Sequence, residues 1–361
     1  KFNSRLPSIL FSMFYIVLTL IFCNLLFGKN NKYSLLTLLI LIFSFPLIYI
    51  SLRSYNYAAG TLSATTIFLL TYLQLLNKKF LFNVSREKID FRDNLFLGVF
   101  FSLLAYLNYS TFFLLPLFFL VGFFSNLSLK DIFSKYNQNL FLIGIFFLLF
   151  SLPIIIHIFI LNLQLYGLTG STAGEFGEYH LSNIRKGEGI VTILFFFIKN
   201  FYLTVSKNLS FFLDNFILAD LFQFIIFSLV LLGLFISRNQ SENHRKFSNL
   251  SLIIILYIFV LVFFEVITLG PSRHSNFYTP IFALLLVIST KFIIEKYFFS
   301  FSKYIVIAMI FVITGIFLNS YIKFYTLYSD VFEEEKIQKL IHDYKVEYIS
   351  NDPTLSDQIC L

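Results

Sequence analysis

The sequence predicts an all-α polytopic membrane protein, and three observations predict it. Hydrophobic residues make up 58% of the 361 residues and charged ones only 13%, a balance far from that of soluble domains. Apolar runs of about 20 residues, the length of a membrane-crossing helix, recur along most of the chain. Lysine and arginine gather in alternate connections between those runs, the pattern of a chain that crosses repeatedly with its basic loops in the cytoplasm. The 52 phenylalanines and the absence of tryptophan are read as the mark of an AT-rich genome, with most rings facing lipid or a neighbouring helix.

The runs occupy residues 7–28, 34–51, 57–77, 139–163, 218–237, 249–269, 275–293 and 304–322. A further run from Asn94 to Ser125 has 32 residues; at about 1.5 Å each it would reach about 48 Å, too far for one upright span. Its "NYST" at 108–111 therefore predicts two short helices joined by a tight turn, which brings the total to ten segments. With the first segment starting outside the cytoplasm, five groups fall inside: Lys29 and Lys32; Lys78, Lys79, Arg86, Lys88 and Arg92; Lys130 and Lys135; Arg238, Arg245 and Lys246; Lys291, Lys296 and Lys303. Together they are more than half of the 27 Lys and Arg. The short outer connections hold only Arg53 and Arg273, apart from Lys1 and Arg5 at the start.

Residues 190–213 carry Leu194, Ile198, Phe201, Tyr202, Val205, Leu209 and Phe212 on one helical face, with Lys199, Asn200, Ser206, Lys207 and Ser210 opposite. That division predicts an amphipathic helix on the outer membrane surface; the alternative is a span whose polar side packs against other helices. The helix and the preceding loop form an outer region over 164–217, inside a transmembrane unit covering 1–322. A small extracytoplasmic region begins at 323–361, with a charged helix over Glu333 to Tyr344 and a strand over Val346 to Ser350.

Polar groups within a bilayer are expensive, so their positions carry information. Here they crowd toward the outer side. Arg5 opens the first segment; Arg53, Tyr55 and Tyr57 share an outer connection; Glu265 lies one turn inside a span that leads to Arg273 and His274; and the glycine-rich loop 166–190 holds Glu175, Glu178 and His180. Several cations and a few carboxylates on one face suit a lipid-linked phosphate held by arginine, with an acid or base nearby. Each has a structural alternative: boundary arginines snorkel to headgroups, tyrosines anchor at the interface, and Glu265 pairs with Arg273. Cys23 and Cys360 are too far apart in context to suggest a disulfide framework, and no metal-ligand spacing occurs, so no cofactor is expected. The six sequon-like triplets, beginning with Asn83, fall on both sides and are taken as chance.

The stretch "RLPSILFSMFYIVLTLIFCNLLFG", followed by "SLRSYNYAAGTLSATTIFLLTYLQLL", resembles the second to fourth spans of membrane glycosyltransferases with the GT-C fold. More narrowly it resembles the dolichyl-phosphate-mannose protein mannosyltransferase type, glycosyltransferase family 39-like, which includes lipid A aminoarabinose transferases. Ser51 to Tyr55 is similar to that family's Ser-x-x-Arg-x-Tyr with a one-residue shift; "LLAYLNYSTFFLLPLFFLV" is similar to its pair of short helices, and "GPSRHSNFYTPIFALLLV" to its late arginine-plus-aromatic span. The resemblance covers most of residues 4–293 in order. It implies a GT-C-like bundle that moves one sugar from a polyprenyl-phosphate donor to a lipid, glycan or protein acceptor, at the periplasmic or exterior face of a bacterial inner membrane. It further implies one more span and a first outer loop ahead of residue 1, with the catalytic Asp or Glu in that loop. Arg53, Arg273 and His274, with Arg5, are the expected donor-phosphate residues; Tyr55, Tyr57, Glu175, Glu178, His180 and Glu265 are expected near substrate. A divalent metal varies within the family and has no support in these residues. Membrane lipids are expected partners and nucleic acid is not. Two other readings are a lipid-linked saccharide transporter or polymerase-like export protein, and a noncatalytic glycolipid binder.

Overall fold

The computed structural model describes residues 2–29, 31–44, 55–78, 84–108, 110–124, 134–156, 190–210, 219–263, 269 and 277–331; for 2–5, 55–57, 110, 190, 317 and 319–331 it describes the helix but not the side chains. Among the described residues there are eleven α-helices, one 3-10 turn at Phe299–Phe301, and no strand. The helices are α1 (Phe2–Phe27), α2 (Lys32–Ile42), α3 (Tyr55–Leu75), α4 (Phe91–Leu107), α5 (Ser110–Phe124), α6 (Lys135–Ile156), α7 (Ile190–Ser210), α8 (Ala219–Arg238), α9 (Glu242–Phe263), α10 (Thr279–Tyr297) and α11 (Ser302–Val331).

Six of these segments are long and apolar enough to cross a membrane: Leu6–Phe27, Ala58–Leu75, Lys135–Ile156, Ala219–Arg238, Glu242–Phe263 and Phe299–Ile316. Their outer surfaces agree with a lipid solvent. Phe141, Phe224, Phe235 and Phe311 are each more than half exposed, which water would penalise and hydrocarbon would not. The chain is an integral membrane protein. At its centre lies α10, buried without a break from Thr279 to Thr290, as a helix apolar on every face must be.

The long run divides where expected. Asp90 caps α4 by accepting from the Asp93 N–H at 3.2 Å, and Asn108 ends it in extended backbone at φ −154° and ψ 118°. The Asn108 carbonyl then accepts from Thr111 N–H at 3.0 Å as α5 begins. α4 and α6 run parallel, since Asn94 meets Asn139 and, two turns on, Ser102 donates to the Phe147 carbonyl at 3.0 Å. α3 and α5 are also parallel, because Gly60 faces Asn108 and Gln74 faces Gly122, an offset of 48 in both pairs (108 − 60, 122 − 74). Each connection from α3 to α6 therefore reverses the chain, as a multispan topology demands.

The basic connections gather at one end of the bundle. Lys32 Nζ donates to Ser302 Oγ at 2.8 Å. Tyr72 OH donates to the Asn243 carbonyl at 2.9 Å, and Asn243 Nδ2 donates to the Leu25 carbonyl at 3.3 Å. Phe22 stacks on Tyr72 at 5.2 Å, with the Phe247 ring set edge-on to both. Lys291 Nζ lies 5.6 Å from the Phe27 ring centre and 5.8 Å from that of Tyr33.

At the same end Asn139, fully buried, fastens the connection between α3 and α4. Its Nδ2 donates to the Ser85 and Lys88 carbonyls at 2.8 Å each. Its Oδ1 accepts from Asp90 N–H at 3.1 Å and Asn94 Nδ2 at 2.6 Å. Every lone pair and proton of that carboxamide is used, and truncation would strand several buried groups. Asn139→Ala is expected to cost about 2–4 kcal/mol and to open residues 84–90 to protease; a thermal melt and limited proteolysis in detergent read both.

Four expectations need correction. Of the span expected over 34–51, the described part is helical to Ile42, where Phe43 and Ser44 N–H groups bond back to the Leu39 and Leu41 carbonyls at 3.0 and 3.2 Å, and 45–51 lie outside the described residues. The span expected from 249 starts at Glu242 instead, because His244 is drawn into the bundle and buried. The last helix continues past the span expected over 304–322, to Val331. α7, expected to keep its polar flank in water, is packed on both flanks: Phe201, Val205 and Leu209 of the apolar face are buried, and so are Asn200, Ser206 and Ser210 of the polar one, while Lys199 stays exposed. Packing decides this, since α7 leans on α8, α9 and α10 through Phe201, which sits 6.0 Å from Phe227, 5.5 Å from Phe259 and 5.7 Å from Phe282.

Candidate functional site

The candidate site is the end of the bundle opposite the basic connections. α3 enters it as "AAGTLSATT", a row of small and hydroxylated residues that lets neighbouring helices approach closely. Gly60 is the point of closest approach. A Cβ there would lie 2.6 Å from Phe277 Cε1 and 2.8 Å from Asn108 Nδ2, so only glycine fits without displacing them. Three segments distant in sequence therefore meet at one spot: the start of α3, the turn between α4 and α5, and the lead into α10.

One turn deeper the 48-residue offset places Ser63 beside the level of Thr111 (111 − 63). Ser63 Oγ and Thr111 Oγ1 are both buried without a hydrogen-bond partner, while the neighbouring Thr65 and Thr66 donate to the Thr61 and Leu62 carbonyls within their own helix. Near the same end, α7 presents the inward row Asn200, Thr204 and Asn208, spaced four apart. Thr204 donates to the Asn200 carbonyl at 2.7 Å. Neither polar atom of the Asn208 carboxamide has a partner. Buried polar groups of this kind are usually satisfied by protein or water, so Ser63, Thr111 and Asn208 are donors and acceptors available to a bound hydroxylated molecule.

Of the residues singled out from the sequence, three lie in described helices. Arg5 lies in α1, and Tyr55 and Tyr57 in the first turn of α3; for these three the helix is described and the side chain is not. Arg53, Glu175, Glu178, His180, Glu265, Arg273 and His274 lie outside the described residues, as do the loop 166–189 and the tail from 332. Among the described residues no three His, Cys, Asp or Glu side chains come together to hold a metal ion.

Sequence reasoning read "NYST" only as a turn and passed over Gly60, Ser63, Thr111 and Asn208. A glycine following two alanines at the mouth of a span was the available signal for Gly60. The hydroxyls carried none, because most threonines and serines in spans bond back to their own helix, and only the pairing of α3 with α5 shows which do not. Comparison of the chain with family models, with curated proteins and with solved structures returned no match.

Proposed function

We propose that this protein is an integral-membrane glycosyltransferase that moves a sugar from a polyprenyl-phosphate donor to a lipid, glycan or protein acceptor. The reaction takes place at the bundle end away from the basic connections, the periplasmic or exterior face of a bacterial inner membrane. The observation that carries the reading is the meeting of Gly60, Asn108 and Phe277. Gly60 follows Arg53 by seven residues and Phe277 follows Arg273 by four. The two connections that the resemblance assigns to donor phosphate thus lead into one contact. The resemblance of residues 4–293 to GT-C transferases supports the same assignment.

In the proposed reaction the acceptor hydroxyl attacks the anomeric carbon, its proton passes to a carboxylate, and the bond from that carbon to the phosphate oxygen breaks. The prenyl phosphate leaves as an anion, which Arg53, Arg273 and His274, with Arg5, would stabilise as its charge develops. The unpartnered hydroxyls of Ser63 and Thr111 and the amide of Asn208 are suited to sugar or acceptor hydroxyls.

The test is release of polyprenyl phosphate from a panel of polyprenyl-phosphate sugars by the purified full-length protein in lipid. Release that depends on acceptor supports transfer. Movement of the lipid-linked sugar between vesicle leaflets without release would replace this reading by transport, and binding alone would replace it by a glycolipid receptor. Gly60→Ala is expected to lower release by about ten-fold or more, since small displacements of a site are amplified in rate, while the protein still assembles in the membrane.

A further inference from the structure

A second site lies at the opposite end, and it does not rest on the proposed transferase activity. A cavity of about 350 Å³ opens beside the connection from α3 to α4, large enough for the polar portion of a small ligand. Leu70, Leu97 and Phe118 form its buried wall. Lys78, Arg86 and Glu87 form its exposed rim. Gln74 and Tyr136 stand between the two and are joined by a hydrogen bond from Gln74 Nε2 to the Tyr136 hydroxyl.

The rim is held in place. Arg86 lies with its guanidinium carbon 5.3 Å from the centre of the Tyr136 ring, and the flanking Ser85 and Lys88 carbonyls are the two that the buried Asn139 holds. A surface connection does not need a fully buried carboxamide to close it. Here that carboxamide fixes the position of a cation over a cavity. Lys78 is set by the end of α3, where its N–H bonds to the Leu73 carbonyl at 2.9 Å and Asn77 takes the left-handed conformation at φ 54°. Ile89 and Phe91, which follow the rim residues in sequence, are about half exposed or more, an apolar border suited to contact with lipid.

We infer that this cavity binds the phosphodiester of an anionic glycerolipid, with phosphate between Lys78 and Arg86 and the glycerol portion against the apolar wall. Glu87 leaves the rim a net single positive charge, which matches a singly charged diester better than a doubly charged phosphate monoester. Two sources could supply that chemistry, a membrane lipid or a soluble glycerophosphodiester, and the apolar wall together with the exposed Ile89 and Phe91 favours the lipid.

The test is native mass spectrometry of the full-length protein released from detergent with phosphatidylglycerol, phosphatidylcholine or glycerophosphoglycerol added. Wild type is expected to retain phosphatidylglycerol over phosphatidylcholine. The Lys78→Ala, Arg86→Ala double variant is expected to lose at least about ten-fold of that retention, as two charge-assisted contacts are removed. Both residues are exposed, so the variant should melt as wild type does without added lipid. Glu87→Gln should increase retention. Equal retention by the double variant, or no preference for phosphatidylglycerol, would overturn the site. Equally tight glycerophosphoglycerol would overturn the lipid as its source.

Discussion

Gly233→Leu is expected to yield no monodisperse protein, and Gly233→Ala a protein less stable by about 1–3 kcal/mol, the usual range for overpacking a close contact. Gly233 lies on α8 where that helix crosses the middle of α10. A Cβ at this position would collide with the carbonyl oxygen of Leu285. The obstacle is backbone, which cannot rotate aside like a side-chain tip. α10 has no room to retreat either, being buried on all sides through this stretch. The local backbone is further committed, since Ser237 Oγ donates to the Gly233 carbonyl at 2.5 Å and Ser248 Oγ to the Leu234 carbonyl at 2.7 Å. Gly315 supplies the control. Nothing lies within 4 Å of a Cβ built there, so Gly315→Ala should leave stability unchanged or raise it by up to about 1 kcal/mol through helix propensity. Size-exclusion profiles and thermal melts in detergent separate the cases, and a wild-type melt for Gly233→Ala would contradict the close crossing of α8 and α10.

Arg273→Ala is expected to reduce sugar transfer by at least about a hundred-fold, the scale for removing a group that stabilises developing charge in a water-poor site. Expression and membrane insertion should be retained. The expectation follows from the proposed function: a departing prenyl phosphate needs a cation, and the connection holding Arg273 leads directly into Phe277, which packs on Gly60. Arg273→Lys should recover part of the loss, keeping the charge but not the planar fork that grips two phosphate oxygens. If Arg273 serves only as the ion partner of Glu265, Glu265→Gln will reproduce the Arg273→Ala phenotype and the shared effect will appear in the melting temperature instead of the turnover. Turnover at the wild-type rate in Arg273→Ala would remove this residue from the site.

Several features were legible in the sequence because each depends on residues near one another along the chain. Asn108 with its small polar neighbours interrupts an apolar run too long for one helix, and α4 and α5 part there. The helix expected over 190–213 is seen as α7 through Ser210, beyond which the described residues stop. The alternation of basic connections anticipated their gathering at one end, since a charge that must stay in water allows the chain few arrangements.

Other features depend on partners far away in sequence. Residues 242–248 are polar enough to read as a loop, yet α9 begins there because His244, Phe247 and Ser248 are buried against other helices. α7 buries more than its apolar face: its serines and asparagines make an ordinary water-facing stripe until neighbouring helices are brought against them.

The sequence by itself determined that this chain is a bundle of apolar helices, where most of them lie, and which connections share a side, because hydrophobic length and charge act locally against the bilayer. Only the tertiary structure decided which faces meet. The 48-residue register of α3 and α5, the crossing at Gly233 and the closure of residues 84–90 by Asn139 are contacts between distant segments, fixed by shape and hydrogen bonding that no local pattern encodes.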